Sequence, residues 1–181
     1  MRLLLLSLML VSAMLRSEEQ AADPLEQLTS YFFAAARTGD LVVMNEFLQQ
    51  GFPVDHRNSQ SYTALMVATY AGQQQAVEVL LQQGADACLR DKRGHTAMMG
   101  AIVKAEWTIG KILYPIDCKE DKLVDAKAPV TDKEKMTVAQ FAEVFGQSEK
   151  LQQLAKEAET KQQKSPNSRA AVTLISTFHN G

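Results

Sequence analysis

The sequence predicts an all-α solenoid of about four helix-turn-helix repeats joined by hairpin loops. Three observations carry that expectation. Residue types recur at an interval of 33: Gly39 with Gly72, Gly51 with Gly84, Thr63 with Thr96, Leu65 with Met98, Ala68 with Ala101, and Leu80 with Leu113. Within a unit, apolar residues such as Val77, Leu80 and Leu81 fall at i, i+3 and i+4, which lines one side of a helix. Small residues crowd the first helix of each unit (Ala34, Ala35, Ala36, Ala64, Ala68, Ala71, Gly100, Ala101 and Ala105), so neighbouring helices can approach closely. A two-helix unit cannot bury its apolar side alone, and stacking of three or more units supplies the core.

The units follow in order along the chain. The first inner segment runs from Tyr31 to Gly39, the second from Thr63 to Gly72 and the third from Thr96 to Ala105. A fourth, Thr137 to Gly146, begins 41 residues after Thr96, so about eight residues are inserted before it. Thr63, Thr96 and Thr137 stand where a helix begins, and a threonine there can accept a backbone N–H as an N-cap. Asp23-Pro24 marks the boundary before the first unit, because the residue before a proline is pushed out of the helical region. At the other end, Leu151, Leu154, Ala155 and Ala158 give one apolar stripe on an otherwise charged helix, as a terminal repeat requires.

This pattern resembles the ankyrin repeat, whose period is 33 and whose signature is Thr-Pro-Leu-His-x-Ala. Val77-Glu-Val-Leu-Leu-Gln-Gln-Gly-Ala-Asp86 matches the second half of that repeat closely, and the resemblance covers about residues 27–160. The sequence departs from the signature at two slots. Ala64, Ala97 and Val138 stand in the proline slot, and Phe33, Met66, Met99 and Gln140 in the histidine slot. These losses imply a looser hairpin network on the same fold, with the small inner-helix residues curving the stack around a concave face.

Beyond the repeats lie two short regions. Met1 and Arg2 precede an apolar run from Leu3 to Leu15, the pattern of a secretory signal. Thirteen helical residues reach about 20 Å, short of the ~30 Å bilayer core. Residues 1–22 therefore read as a signal peptide or, if uncleaved, an N-terminal anchor tethered to the inner membrane through residues 3–15. Val11-Ser12-Ala13 and the Ala21-Ala22 region are alternative cleavage sites. Residues 23–160 form the repeat domain. Residues 161–181 read as a flexible tail that opens with a polar linker and ends in an apolar stretch, Ala170 to Phe178. The expected location is the periplasm or another exported compartment, and the expected state is a monomer.

Composition excludes several functions. The formal charge is −2, and hydrophobic and charged contents of 46% and 22% are ordinary globular values. No broad basic surface for nucleic acid is expected. Charge is uneven, however: residues 17–55 carry seven acids and one base, whereas residues 56–115 carry six bases and four acids. No Gly-rich phosphate loop, Gly-x-Ser-x-Gly elbow or His-Glu-x-x-His motif occurs, and His56, His95 and His179 lack metal-ligand spacing, so the protein reads as non-enzymatic with no metal site. Cys88 and Cys118 fall on successive repeats, about 10 Å apart by helix diameter. A bond would need the segment at Cys118 to fold back, and the spacing favours two separate thiols over a disulfide.

The ankyrin resemblance implies that a protein partner meets the hairpin tips and the exposed inner-helix residues. Carried over position by position, the tips are Ser59, Gln60 and Tyr62, then Lys92, Arg93 and His95, then Lys133, Glu134 and Met136. The inner helices supply Arg37 and Thr38, Tyr70 and Ala71, Val103 and Lys104, and Val144 and Phe145. The expected partner-binding set is Arg37, Tyr62, Tyr70, Lys92, Arg93, His95, Val103, Lys104 and Phe145. The chain also resembles short exported bacterial ankyrin proteins found beside catalases, which implies a catalase as partner and support of that enzyme under oxidative stress. That resemblance carries an alternative, haem binding or delivery, with Tyr62, Tyr70 or His95 as axial-ligand candidates. A further alternative is a cytosolic or host-directed ankyrin scaffold. No cofactor is otherwise expected.

Overall fold

The computed structural model describes residues 23–116, 118 and 136–164. Among them are eight helices and no strand: α1 (Pro24–Thr38), α2 (Leu41–Gln49), α3 (Ala64–Tyr70), α4 (Gln74–Gln82), α5 (Ala97–Lys104), α6 (Trp107–Leu113), α7 (Val138–Val144) and α8 (Ser148–Lys164). The chain divides into two compact units, residues 1–31 and 32–181, so the boundary falls inside α1. The packing that follows is that of the second unit. The expected export segment, the inserted residues before α7 and the apolar tail lie outside the described residues.

The helices come in pairs, an inner one (α1, α3, α5, α7) followed by an outer one (α2, α4, α6, α8). Inner helix α3 packs on α5 and α5 on α7, while α4 meets α6 and α6 meets α8 in the outer row. This is the stacking that the 33-residue period implies, and it is consistent with an ankyrin solenoid. The core runs along the seam between the rows: Leu65, Met66, Val77 and Leu80 in the second repeat, then Met98, Met99, Ile102, Ile109 and Leu113 in the third, then Phe141 and Leu151 in the fourth. In the first repeat aromatic rings do this work. Phe32 lies 5.6 Å from Phe47 and 4.7 Å from Phe52, ring to ring, and Phe52 lies 5.2 Å from His56.

Local chemistry starts and ends these helices. The Met66, Met99 and Gln140 N–H groups donate to the hydroxyls of Thr63 (3.3 Å), Thr96 (3.4 Å) and Thr137 (3.2 Å), which satisfies orphan donors at three inner-helix N-termini. Each inner helix ends in a left-handed residue: Gly39 (φ 74°), Gly72 (φ 72°), Ala105 (φ 54°) and Gly146 (φ 64°). A Cβ at Gly39 would lie 2.6 Å from Gln73 Oε1, and one at Gly72 would lie 2.9 Å from Glu106 Oε1. The backbone conformation disfavours a side chain at these two turns, and one placed there would also push the flexible end of Gln73 or Glu106 aside.

Two expectations are corrected here. First, Cys88 and Cys118 form a disulfide, their Cα atoms 5.4 Å apart. The ~10 Å spacing compares like positions on adjacent repeats, whereas the chain leaving α6 turns back. Ile116 N–H donates to Leu113 O and Cys118 N–H to Ile116 O, each at 3.1 Å. That turn brings Cys118 against the preceding hairpin. Second, the hairpins are not loosened by the missing histidines, because other residues bind them together. The last helix, α8, is described as far as Lys164 and takes in the good helix formers Lys161, Gln162, Gln163 and Lys164.

Candidate partner-binding face

Two hairpins with the same frame present the tips. In the first, Asn58 Oδ1 accepts the Gln60 and Tyr62 N–H groups, both at 3.0 Å. In the second, Asp91 Oδ1 accepts those of Arg93 (2.8 Å) and His95 (2.9 Å). Arginines then bind each hairpin to the next repeat. Arg57 Nη1 donates to Ser61 O (3.2 Å) and Arg90 O (2.6 Å), and Arg90 Nη1 donates to Gly94 O (2.6 Å) and Met136 O (3.1 Å). Every partner in that ladder but the last is repeated 33 residues on. At the fourth repeat, Gln140, in the slot of the signature histidine, closes a capping box: Thr137 N–H and Oγ1–H donate to Gln140 Oε1 at 3.0 and 3.2 Å. The tips are thus held at fixed heights along the stack, which is what a recognition surface needs.

Aromatic rings sit on this frame. Tyr62 and Tyr70 lie 6.1 Å apart, ring centre to ring centre. Tyr70 rests on α5 at Gly100, where an added Cβ would come within 3.3 Å of the ring. Glycine inside a helix costs about 1 kcal/mol relative to alanine, and here it makes room for the tyrosine. Burial raises the Tyr70 pKa, Tyr62 and Asp91 push it the same way, and Arg93 opposes them, so the phenol stays neutral through the physiological range. A second group lies towards the fourth repeat: His95 is 5.1 Å from Phe141, and Phe141 is 4.6 Å from Phe145. His95 Nδ1 also lies 3.7 Å from the buried carboxylate of Asp91.

The expected residues sort into three groups. Tyr62, Tyr70 and His95 are half-buried, with rings packed against neighbouring rings. Arg37, Lys92, Arg93 and Lys104 are exposed cations. Val103, 40% exposed, and Phe145, 47% exposed, are apolar surface on the inner helices, joined by Val144 at 67%. Arg37, Tyr70 and Val103 are equivalent positions, so they form a row across three repeats, and Thr38, Ala71 and Lys104 form the row beside it. Met136 lies at the foot of the last hairpin, whereas Lys133 and Glu134 fall outside the described residues, as does His179.

Asp91, Gly100 and Phe141 contribute without having been singled out for the face. Asp91 could have been found from Asn58, its equivalent 33 residues earlier, and Gly100 from the anomaly of a helical glycine. Phe141 gives no such signal, since an apolar helix residue reads as core. Among the described residues no cluster of histidine, cysteine or carboxylate groups could hold a metal ion. The haem candidates separate, too: Tyr62 and Tyr70 face each other, while His95 turns to Asp91 and Phe141. A concavity of about 350 Å³ lies away from this face, walled by Leu113, Tyr114, Cys118, Val138, Leu151 and Ala155.

Comparison with known proteins agrees with this architecture. A family model described as ankyrin repeats (three copies) matches residues 31–123, just over half of the chain. The chain belongs to the ankyrin-repeat family. Potassium channel AKT2/3 of Arabidopsis thaliana is 32% identical over 87 residues, which is 48% of this ankyrin protein and 11% of the channel. Ankyrin repeat and SAM domain-containing protein 6 of Mus musculus is 44% identical over 64 residues, 35% of this chain and 7% of that protein. Protein HOS4 of Saccharomyces cerevisiae is 41% identical over 68 residues, 37% and 6% respectively. The chain therefore spans a small fraction of the length of these curated relatives. What is common to them is the repeat, a non-catalytic interaction fold whose partners are typically proteins.

Proposed function

We propose that this ankyrin protein is an exported, non-enzymatic module that holds a partner protein on its inner helices and hairpin tips. The observation that carries the reading is the Tyr62–Tyr70 pair, seated on Gly100 and flanked by exposed Lys92, Arg93 and Lys104. Tyrosine and arginine are favoured interface anchors, and a prepositioned ring loses little entropy on binding. Export is supported by the basic start and apolar run of residues 1–15, together with the Cys88–Cys118 disulfide, a bond that persists in oxidising compartments. Resemblance to the exported bacterial ankyrin proteins found beside catalases makes a catalase the first partner to test.

The test is capture from cells under peroxide stress, using the full chain with a C-terminal tag. Tyr62→Ala, Tyr70→Ala and Arg93→Ala should each weaken capture while the circular-dichroism spectrum stays helical. Normal capture by all three would place the binding face elsewhere. Fractionation of the same tagged chain tests export, and purely cytosolic full-length material would favour the scaffold alternative. The haem reading rests on the same two tyrosines with Arg93 beside them for a propionate. The protein partner is preferred because Tyr70 is already packed on Gly100 and beside Tyr62, where the rings offer area to a protein surface. A Soret shift on haem titration, lost in Tyr62→Phe, would reverse that preference.

A further inference from the structure

Exposed charge on the face is of one sign. On the second half of α1, on α3 and α5 and on the hairpins 55–62 and 88–95, the exposed charged residues are Arg37, Arg57, Lys92, Arg93 and Lys104. Within these segments the carboxylates are withdrawn, and exposed Asp40 and Asp86, just outside them, each accept a backbone N–H, from Val43 and Cys88. Asp55 accepts the Asp86 N–H at 3.0 Å, and Asp91 is buried beneath the Arg93 and His95 N–H groups. Glu106 lies against Gly72, at the turn behind α3. Among the described residues, no carboxylate forms an ion pair with Arg37, Lys92, Arg93 or Lys104. Arg57 is the exception in role, being committed to two carbonyls. Four free cations thus surround a band of Tyr62, Tyr70 and Val103. The band loses this character at the fourth repeat, where Glu143 is exposed beside Val144 and Phe145.

We infer that the partner offers an acidic segment with an apolar or aromatic residue at its centre, the centre lying on Tyr62, Tyr70 and Val103 and the acids meeting Arg37, Lys92, Arg93 and Lys104. The inference rests on the partner-binding reading above and specifies its chemistry. Adjacent helices pack about 8–10 Å apart, so the row from Arg37 through Tyr70 to Val103 spans roughly 20 Å. About six extended residues cover that distance at ~3.3 Å each. Exposed cations in water attract weakly one by one, so they supply partner choice and encounter rate, while the apolar centre supplies residence time. A single-stranded nucleic acid fits less well, because Val103 offers no ring for base stacking.

The experiment titrates the full chain with three fluorescent dozen-residue peptides sharing a central Phe-Leu pair and flanked by acidic, neutral or basic residues. Anisotropy should show the acidic peptide binding about tenfold more tightly than the neutral one at low salt, with the preference shrinking as salt rises. Arg93→Glu combined with Lys104→Glu should erase the preference, and Lys156→Glu, on exposed α8, should leave it unchanged. Equal binding of acidic and neutral peptides, stronger binding of the basic one, no binding of any, or tighter binding of a single-stranded oligonucleotide would each overturn the inference. These outcomes are separable from the reading beneath it. If Tyr70→Ala still abolishes capture of the cellular partner while the acidic peptide shows no preference, the face stands and its proposed chemistry falls.

Discussion

Hairpin 55–62 reaches the following repeat through hydrogen bonds, and hairpin 88–95 reaches it through a covalent bond as well. Asp55 and Cys88 are equivalent positions, 33 apart. Asp55 Oδ1 accepts the Asp86 N–H, 31 residues on, just past the outer helix of the next repeat. Cys88 bonds to Cys118, 30 residues on, just past the outer helix of its own next repeat. The backbone thus brings the same two places together twice, and the side chains settle what joins them. The same holds at the turn itself, where Asn58 and Asp91 accept equivalent N–H pairs but differ in charge. A repeat fixes geometry and leaves chemistry free to vary, which is how one frame presents Tyr62 at one tip and Arg93 and His95 at the next.

The largest contrast should come from cutting the two crosslinks. Replacing both cysteines (Cys88→Ser with Cys118→Ser) frees a loop of about thirty residues in the unfolded state and should cost roughly 3 kcal/mol. Asp55→Ala removes one acceptor and should cost only about 1 kcal/mol. Urea titrations followed by circular dichroism would measure both. Equal losses would mean that the covalent tie adds nothing beyond the contact Asp55 makes.

Second in size is the turn acceptor. Asp91→Ala leaves the Arg93 and His95 N–H groups without their partner beneath the hairpin, a loss of about 2 kcal/mol. Asp91→Asn keeps an acceptor oxygen in the place where Asn58 already works, so its cost should stay within about 0.5 kcal/mol. Midpoints of denaturation and amide exchange at residues 93 and 95 decide this. An Asn variant as damaged as the Ala variant would show that the charge, and not the acceptor, holds the second hairpin.

How much of this was legible in the sequence follows from the same distinction. The period and apolar stripes specify backbone placement, so the paired helices and the threonine caps could be read directly. The crosslinks could not, because they depend on how far each side chain reaches across the stack: Arg57 reaches the like position at Arg90 O, whereas Cys88 reaches an unlike one at Cys118. The disulfide was misjudged by measuring between like positions. The register of Asp55 and Asp86 carries the correction, but it becomes visible only once that hydrogen bond is known. Candidate surface residues were legible as positions. Which of them are free cations was not, since that depends on where each carboxylate turns.

The next contrast concerns the turns after the inner helices. Gln73 and Glu106 are equivalent, and each packs on the left-handed glycine of the repeat before it. Gln73 Nε2 donates to Arg37 O at 3.1 Å, at the carbonyl end of α1. Glu106 has no side-chain N–H to offer the corresponding end of α3, and its carboxylate stands between the negative end of α3 and the positive start of α6, which it N-caps, so the two dipole effects oppose each other. Glu106→Gln should supply the missing donor and raise stability by up to about 1 kcal/mol. A loss of stability would mean that the two turns are not equivalent in detail.

The smallest effect separates two left-handed residues that are not glycine. Ala105 (φ 54°) stands where Gly39 and Gly72 stand, and Ser61 (φ 66°) stands where Gly94 stands. A Cβ in this region costs about 1–2 kcal/mol, partly offset because glycine loses more entropy on folding. Ala105 is exposed, so Ala105→Gly should gain roughly 0.5–1 kcal/mol with little packing lost. Ser61 is different, because its hydroxyl accepts the Lys92 N–H at 2.7 Å and so helps to hold the second hairpin tip. Ser61→Gly should relieve the same strain but lose that bond, worth about 1 kcal/mol, and end near zero. Parallel urea titrations give the comparison its sharpest form, since strain is common to both sites and the inter-repeat bond belongs to one. If both variants stabilise equally, the Ser61–Lys92 bond contributes nothing, and the serine at the first tip has another reason to be there.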